Sequence, residues 1–193
     1  MNSKTALRQD VLNRRKQAHK TRPDFAPDII DALVNYIKPR YVAPYYLASY
    51  LASGSEIDAQ QIVTRLIDDG ARAALPVCLP NNALMRFRQW QMGDDLADDA
   101  MGMPAPLVQA PYIVPNVLLV PVVAFDKQGG RLGRGGGFYD RALANLREDK
   151  KILAIGVAYD AQQLDKCPME LHDQRLNAVV TPTVFFECFN ETK

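Results

Sequence analysis

Six of the chain's 11 glycines fall in one short stretch, at positions 129, 130, 133, 135, 136 and 137, with Arg131 and Arg134 among them and Asp140 just beyond. Glycine at that density loses much backbone entropy on ordering, so a fold keeps it where main-chain N–H groups must approach something bulky and charged. The run Val-Leu-Leu-Val-Pro-Val-Val at 117 to 123 precedes the stretch and reads as a buried strand. A helical pattern follows, with Tyr139, Ala142, Leu143 and Leu146 on one face. Strand, glycine-rich turn and helix start together favour an anion, because free helix N–H groups and the macrodipole both point at it. The chemistry on offer is the holding of a phosphate chain, with two arginines to neutralise it and a carboxylate suited to Mg²⁺.

Neither common phosphate signature fits. Gly130 and Gly135 have the Walker A spacing, but Gly136 and Gly137 stand where Lys and Ser or Thr belong. A dinucleotide fingerprint would need Gly133, Gly135 and a glycine at 138, which is Phe. The competing reading is a wide glycine-rich surface hairpin; the interleaved arginines and the Phe-Tyr-Asp behind them favour the anion loop.

Three other groups of residues could do chemistry. Lys4 and Arg8 lie four apart on a basic helix that also carries Arg14, Arg15 and Lys16, so the first two can grip one multiply charged group. Composition alone would make that helix a solvated surface. Ser55-Glu56-Ile57-Asp58 leads into a helix, where Ser55 or Asp58 could cap and Glu56 could serve the dipole or contact a ligand. Glu170, His172 and Asp173, after Pro168, offer donors for a hard cation or an ordinary turn.

The elements that must position these groups alternate along the chain. Helical patterns cover 2 to 20, where Ser3 could cap and Leu7, Val11 and Ala18 form a thin apolar stripe, then 24 to 36, 57 to 69 and about 138 to 148. Strand patterns cover 41 to 51, 71 to 79, 117 to 123, 152 to 158 and 177 to 181, with an edge strand at 83 to 91. Residues 81 to 116 are otherwise extended or turning chain, marked by Pro104, Pro106 and Pro111. Alternation of this kind predicts an α/β fold with a largely parallel sheet covered on both faces, and ligands at the strands' carboxyl ends. Phe87, Trp90 and Met103 read as core.

Composition narrows the function. At 193 residues and 48% hydrophobic content the chain suits one domain with a substantial core. A net charge of +1 supplies no basic field for nucleic acid. No apolar run approaches 18 residues and Met1 leads into Asn-Ser-Lys, which predicts neither a membrane span nor a secretory leader. The three cysteines lack metal-ligand spacing and fit a reduced, cytoplasmic location, and two histidines exclude a His-rich zinc site.

Taken together the chain resembles the 5-formyltetrahydrofolate cyclo-ligase (methenyltetrahydrofolate synthetase) family over nearly its whole length. The resemblance rests on Lys4-x-x-x-Arg8 with Arg14 six residues on, Glu56-Ile57-Asp58 before a helix, the segment from Phe125 to Asp140, Glu170 with Asp173, and Val180-Thr181-Pro182. Gly136 stands where some members carry Lys, and residues 81 to 116 match only around Met103-Pro-Ala-Pro. The resemblance implies a three-layer α/β/α sandwich, a single such domain over 1–193, and ATP-dependent conversion of 5-formyltetrahydrofolate to 5,10-methenyltetrahydrofolate with release of ADP and phosphate. By the same resemblance Lys4, Arg8 and Arg131 are catalytic. ATP contacts comprise Lys4, Arg8, Arg131, Leu132, Gly133, Arg134, Gly135, Gly136, Gly137, Phe138 and Tyr139. Folate contacts comprise Leu51, Glu56 and Arg134 through Phe138, and Asp140 and Asp173 are implied as Mg²⁺ ligands. As a metal ligand Asp140 is expected, on replacement by Asn, to depress kcat with little loss of folding stability. The expected partners are small molecules, with neither nucleic acid nor membrane, and the chain is expected to be a monomer or weak homodimer. The alternatives are a non-catalytic nucleotide- or phosphate-binding module, or another ATP-dependent activating enzyme on the same scaffold.

Overall fold

In the computed structural model, residues 3–80 and 84–188 are described. The elements in order are α1 (Ser3–Thr21), α2 (Pro27–Ile37), β1 (Tyr45–Ala48), α3 (Gln60–Asp68), β2 (Ala71–Val77), β3 (Arg86–Gln89), β4 (Leu96–Asp98), β5 (Pro104–Pro106), β6 (Tyr112–Ile113), β7 (Val117–Pro121), β8 (Ala124–Phe125), β9 (Arg131–Leu132), α4 (Phe138–Asp149), β10 (Leu153–Val157), a 3₁₀ turn (Asp160–Gln162), β11 (Ala178–Val180) and β12 (Phe185–Glu187). Eight strands form one sheet in the order β12-β11-β10-β7-β1-β2-β3-β6. The five central strands, β11 to β2 in that order, run parallel, and antiparallel strands close both ends. The expected parallel sheet is therefore present as the centre of a mixed one.

Strand side chains alternate between faces, which divides the core in two. Leu47, Val117, Leu119, Ile155, Val157 and Val180 face α2 and α3, packing against Leu33, Ile37, Ile62 and Leu66. Ala48, Leu118, Val120, Ala154 and Val179 face α4 and its Ala142 and Leu143. These central strands have no solvent face, so they read as nearly continuous apolar runs. Three layers result, as expected. Pro27 occupies the first turn of α2, where its missing N–H is no loss.

Several boundaries differ from the sequence expectation. The strand expected at 41 to 51 is β1 alone, four residues long. The helix expected from 57 begins at Gln60, where Asp58 Oδ1 accepts from the Gln60 N–H at 2.9 Å. The edge strand expected at 83 to 91 is β3, lying one strand inside the edge because β6 covers it. The antiparallel pair β4–β5, and β12, were not expected. Phe87 is buried as expected, Trp90 is half-buried and Met103 is exposed. Residues 2 and 81 to 83, and the capping role read for the Ser3 side chain, lie outside what is described. Among the described residues, no helix is long and apolar enough to cross a membrane.

Candidate active site

The glycine stretch has two halves with different tasks. Residues 124 to 132 form a hairpin in which β8 and β9 pair antiparallel, with Asp126 buried at its turn. Asp126 accepts from the N–H groups of Gln128, Gly130 and Cys167 at 2.7–2.9 Å, which fixes the turn. Gly129 has φ +79° and lies so close to the backbone that a Cβ there would meet the Leu176 carbonyl oxygen at 2.4 Å. Gly129 and Gly130 are buried, so the expected anion cradle does not extend to them. Their glycines serve close packing.

Residues 133 to 136 lie on the surface and lead into α4 through Gly137, which takes a left-handed φ of 64°. No N–H group of residues 133 to 137 donates to another described residue. This is the half that can receive an anion, at a helix start and at the carboxyl end of β7. At Gly136 a Cβ would come within 2.9 Å of the Phe138 ring, so any side chain there would require that ring to shift. Arg141 lies over that ring, 5.0 Å from its centre, and donates to the Gly136 carbonyl at 3.0 Å.

Helix α1 lies across the loops that leave the carboxyl ends of β1, β7 and β10. Its Val11 is fully buried against Val123, Ala124, Leu132 and Cys167, with Leu7 and Leu12 beside it. Arg8 donates from Nε to the Gly133 carbonyl at 2.9 Å, so it reaches the glycine loop directly. Lys4 reaches the 170–173 turn instead, 3.0 Å from Glu170 and 3.2 Å from Asp173. Although burial opposes it, these two carboxylates hold the Lys4 ammonium above its ordinary pKa. Burial likewise opposes ionisation of Asp173, yet the Glu170 N–H and Lys4 hold its carboxyl below the usual range.

Arg131 is the centre of this region. It is 5% exposed, its Nη2 donates to Asp140 Oδ1 at 2.7 Å, and its Nη1 is buried with no hydrogen-bond partner among the described residues. Burial lowers its pKa, while the charges of Asp140 and Asp173 support the cation. Asp140 Oδ1 also accepts from the Gln174 N–H at 2.9 Å, tying the turn that holds Asp173 to the start of α4.

The metal-ligand expectation can be tested on the donors. Among the described residues Asp140 accepts hydrogen bonds only on Oδ1 and Asp173 only on Oδ2; each keeps one carboxylate oxygen without a hydrogen bond, that of Asp173 lying 3.7 Å from His172 Nε2. Two carboxylate oxygens completed by phosphate and water suit Mg²⁺, which seldom takes an all-protein cage. The donor set fits. Among the described residues, no group of three or more His, Cys, Asp and Glu side chains is arranged to hold an ion unaided, the Glu170–His172–Asp173 cluster included.

On the other side of the loop, Tyr50 donates to the Ile57 carbonyl at 2.7 Å and closes the turn after β1. Glu56 is held inside it: Oε2 accepts from the Ser53 N–H at 2.9 Å, and Oε1 is 2.9 Å from Arg134 of the glycine loop. Glu56 therefore does not cap α3, and Leu51, half-buried, stands at the start of the same turn. Burial pushes the Tyr139 phenol upward, with the Glu56 charge adding to it. A cleft of about 950 Å³ opens beyond Glu56, bordered by Gly54, Ile57, Gln60 and Tyr159.

All the predicted residues thus gather along α1 at one end of the sheet, in two groups: Lys4, Arg131, Asp140 and Asp173, and Leu51, Glu56 and Arg134. Arg8, Gly133 and residues 135 to 139 lie between, and Leu132 is buried against Val11. Sequence reasoning missed one member. Arg15 is 4% exposed, donates from Nε to Ser55 Oγ at 3.1 Å, and sits 3.8 Å from Glu56. Its neighbour Arg14, to which the resemblance drew attention, is exposed and paired with Asp10. The signal was helical phase: Arg15 shares a stripe with Lys4, Arg8 and Val11.

Comparison with known proteins identifies the family and the fold. The model of the 5-formyltetrahydrofolate cyclo-ligase family matches residues 1–182. The chain is 36% identical over 154 residues to the 5-formyltetrahydrofolate cyclo-ligase of Escherichia coli strain K12, covering 77% of this chain and 84% of that one. It is 32% identical over 189 residues to that of Mycolicibacterium smegmatis, covering 93% and 94%. The fold is similar to the NMR structure of Aquifex aeolicus 5,10-methenyltetrahydrofolate synthetase, with a TM-score of 0.71 at 23% identity over 98% of this chain and 95% of that one.

Proposed function

This chain belongs to the 5-formyltetrahydrofolate cyclo-ligase family and is an ATP-dependent ligase acting on 5-formyltetrahydrofolate; we propose that the reaction takes place beneath α1, between Arg131 and Glu56. The observation that carries this placement is Nη1 of Arg131, a buried donor without a hydrogen-bond partner among the described residues. A buried cationic donor left unsatisfied is costly, and a phosphate oxygen relieves it.

The substrate dictates what the site must do. Its formyl oxygen belongs to an amide, and the carbon cannot expel oxide or hydroxide at a useful rate. Transfer of the γ-phosphoryl group to that oxygen forms an O–P bond and releases ADP. N10 then attacks the formyl carbon, the C–O bond breaks with departure of phosphate, and the N10 proton is lost to solvent. No protein nucleophile is needed. Catalysis rests on in-line positioning and on positive charge around the transferred group.

Arg131, with Lys4 and Arg8 from α1, supplies that charge, and the free N–H groups of residues 133 to 137 receive the phosphate chain alongside Leu132, Phe138 and Tyr139. Asp140 and Asp173 would hold Mg²⁺ by their open oxygens; when bound, it neutralises phosphate charge. Glu56 accepts hydrogen bonds from the amino-pyrimidine edge of the pterin, with Leu51 packing beside it, and Arg134 to Phe138 bound both substrates. This reading takes the chain as one domain acting in the cytoplasm on small molecules. Purified protein given Mg-ATP and 5-formyltetrahydrofolate should develop the methenyl absorbance, and Arg131→Met should lower kcat at least about a hundredfold. Wild-type turnover in that variant would remove Arg131 from the site.

A further inference from the structure

Helix α1 advances 100° per residue, so Lys4, Arg8 and Arg15 project within about 40° of one another along one stripe. The first two serve the phosphate side. Arg15 lies seven residues past Arg8, about 10 Å along the axis, and reaches the other loop. There it is 4% exposed, with its guanidinium donating to Ser55 Oγ at 3.1 Å and 3.8 Å from Glu56 Oε1. A buried guanidinium needs a counter-charge, and burial acts to lower its pKa while Glu56 opposes that. Glu56 also meets Arg134 at 2.9 Å, but Arg134 stands on the exposed half of the glycine loop. Phosphate arriving there competes for Arg134 and not for Arg15.

We propose that Arg15 is a positioning residue for the folate: it holds the Glu56 carboxylate and the 53–57 turn in place when Arg134 is drawn to phosphate. The proposal rests on the reading of Glu56 as the pterin acceptor. It also gives α1 a second task, since one helix then sets both the phosphate cations and the folate carboxylate.

The test separates positioning from plain anchoring of α1. An anchoring role would move Lys4 and Arg8 with the helix, and would raise KM for ATP as much as for folate. Arg15→Met, Arg15→Lys, Glu56→Gln and the Arg15→Met/Glu56→Gln pair are compared in both substrates, with thermal melts as a check of folding. Arg15→Met should raise KM for 5-formyltetrahydrofolate about tenfold, as expected for one lost charge-assisted contact, and leave KM for ATP within about twofold. Arg15→Lys should recover part of the folate affinity, and in the Glu56→Gln background Arg15→Met should add little. Equal rises in both KM values, or full additivity in the double variant, would overturn the proposal. Unchanged folate KM in Glu56→Gln would instead overturn the reading of Glu56 itself. If Arg15→Met does not fold, Arg15→Lys carries the same comparison, and a folate KM unmoved by that substitution refutes the role.

Discussion

Asp140 has two tasks, and a substitution there tests both. One oxygen makes no hydrogen bond among the described residues and is the one proposed for Mg²⁺, while the other accepts from buried Arg131 and from the Gln174 N–H. The expectation that Asp140→Asn would cost little stability treated Asp140 as a metal ligand without a packing role, and so left out its pairing with Arg131. With the guanidinium 5% exposed, removing its counter-charge should lower stability by about 1–3 kcal/mol in denaturant melts, besides depressing kcat. Melts unchanged from wild type would show that Arg131 is satisfied some other way. The same residue explains what sequence could not show: Arg131 and Arg15 were legible as arginines near glycines or on a basic helix, but their burial depends on partners distant in sequence. Charge pattern alone predicts exposure, and tertiary pairing overrides it here.

At the scale of the elements, the divided glycine stretch gives opposite expectations for neighbouring positions. Gly129→Ala would place a Cβ 2.4 Å from a backbone oxygen at positive φ, and should cost about 2–4 kcal/mol of stability. Gly133→Ala meets nothing within 4 Å and should melt like wild type while raising KM for ATP, if its N–H approaches phosphate. A wild-type melt for Gly129→Ala would contradict the packing described. A hairpin stood in the sequence reading only as the competing, surface alternative, and its strands went unread because they are two residues each, too short for any alternation to register. The same brevity hid β6, while the long apolar runs of β7 and β10 and the periodic face of α4 were legible because burial on both sides, or on one stripe, imposes its period on many residues. Lys4 adds a pH signature. Its raised pKa contributes stability that is full below its unfolded value near 10.5 and is lost as pH rises through the folded value. The lowered pKa of Asp173 contributes stability present above its unfolded value near 3.8 and lost as pH falls through the folded one. Lys4→Met should therefore flatten part of the stability curve at both extremes; identical acid and alkaline limbs would deny the pair.

For the whole molecule, the parallel strands place their carboxyl ends together, and the proposed contacts come from the loops, the β8–β9 hairpin and the first turn of α4 that follow those ends, or from the helix laid across them. The fold class and the end of the sheet were readable in sequence because strand and helix patterns alternate. How α1 spans the loops was not, since its apolar stripe is thin and only Val11 is fully buried among those read as apolar. Binding that links α1 to the loops should stabilise the whole chain. A non-hydrolysable ATP analogue with Mg²⁺ at about a hundred times its Kd should add about 2.7 kcal/mol, and chelation by EDTA should abolish both that shift and turnover. A melt indifferent to the nucleotide would place the triphosphate elsewhere.

The thin apolar seam under the amino-terminal helix has a consequence for ionic strength. Its grip on the body relies on Lys4 and Arg8, partly exposed groups whose attractions weaken as mobile ions crowd in, whereas the sheet beneath is secured by dry side chains that salt does not loosen. Moderate concentrations of a neutral salt should thus erode nucleotide affinity well before they disturb the melting temperature, so that the catalyst fails while its scaffold stands.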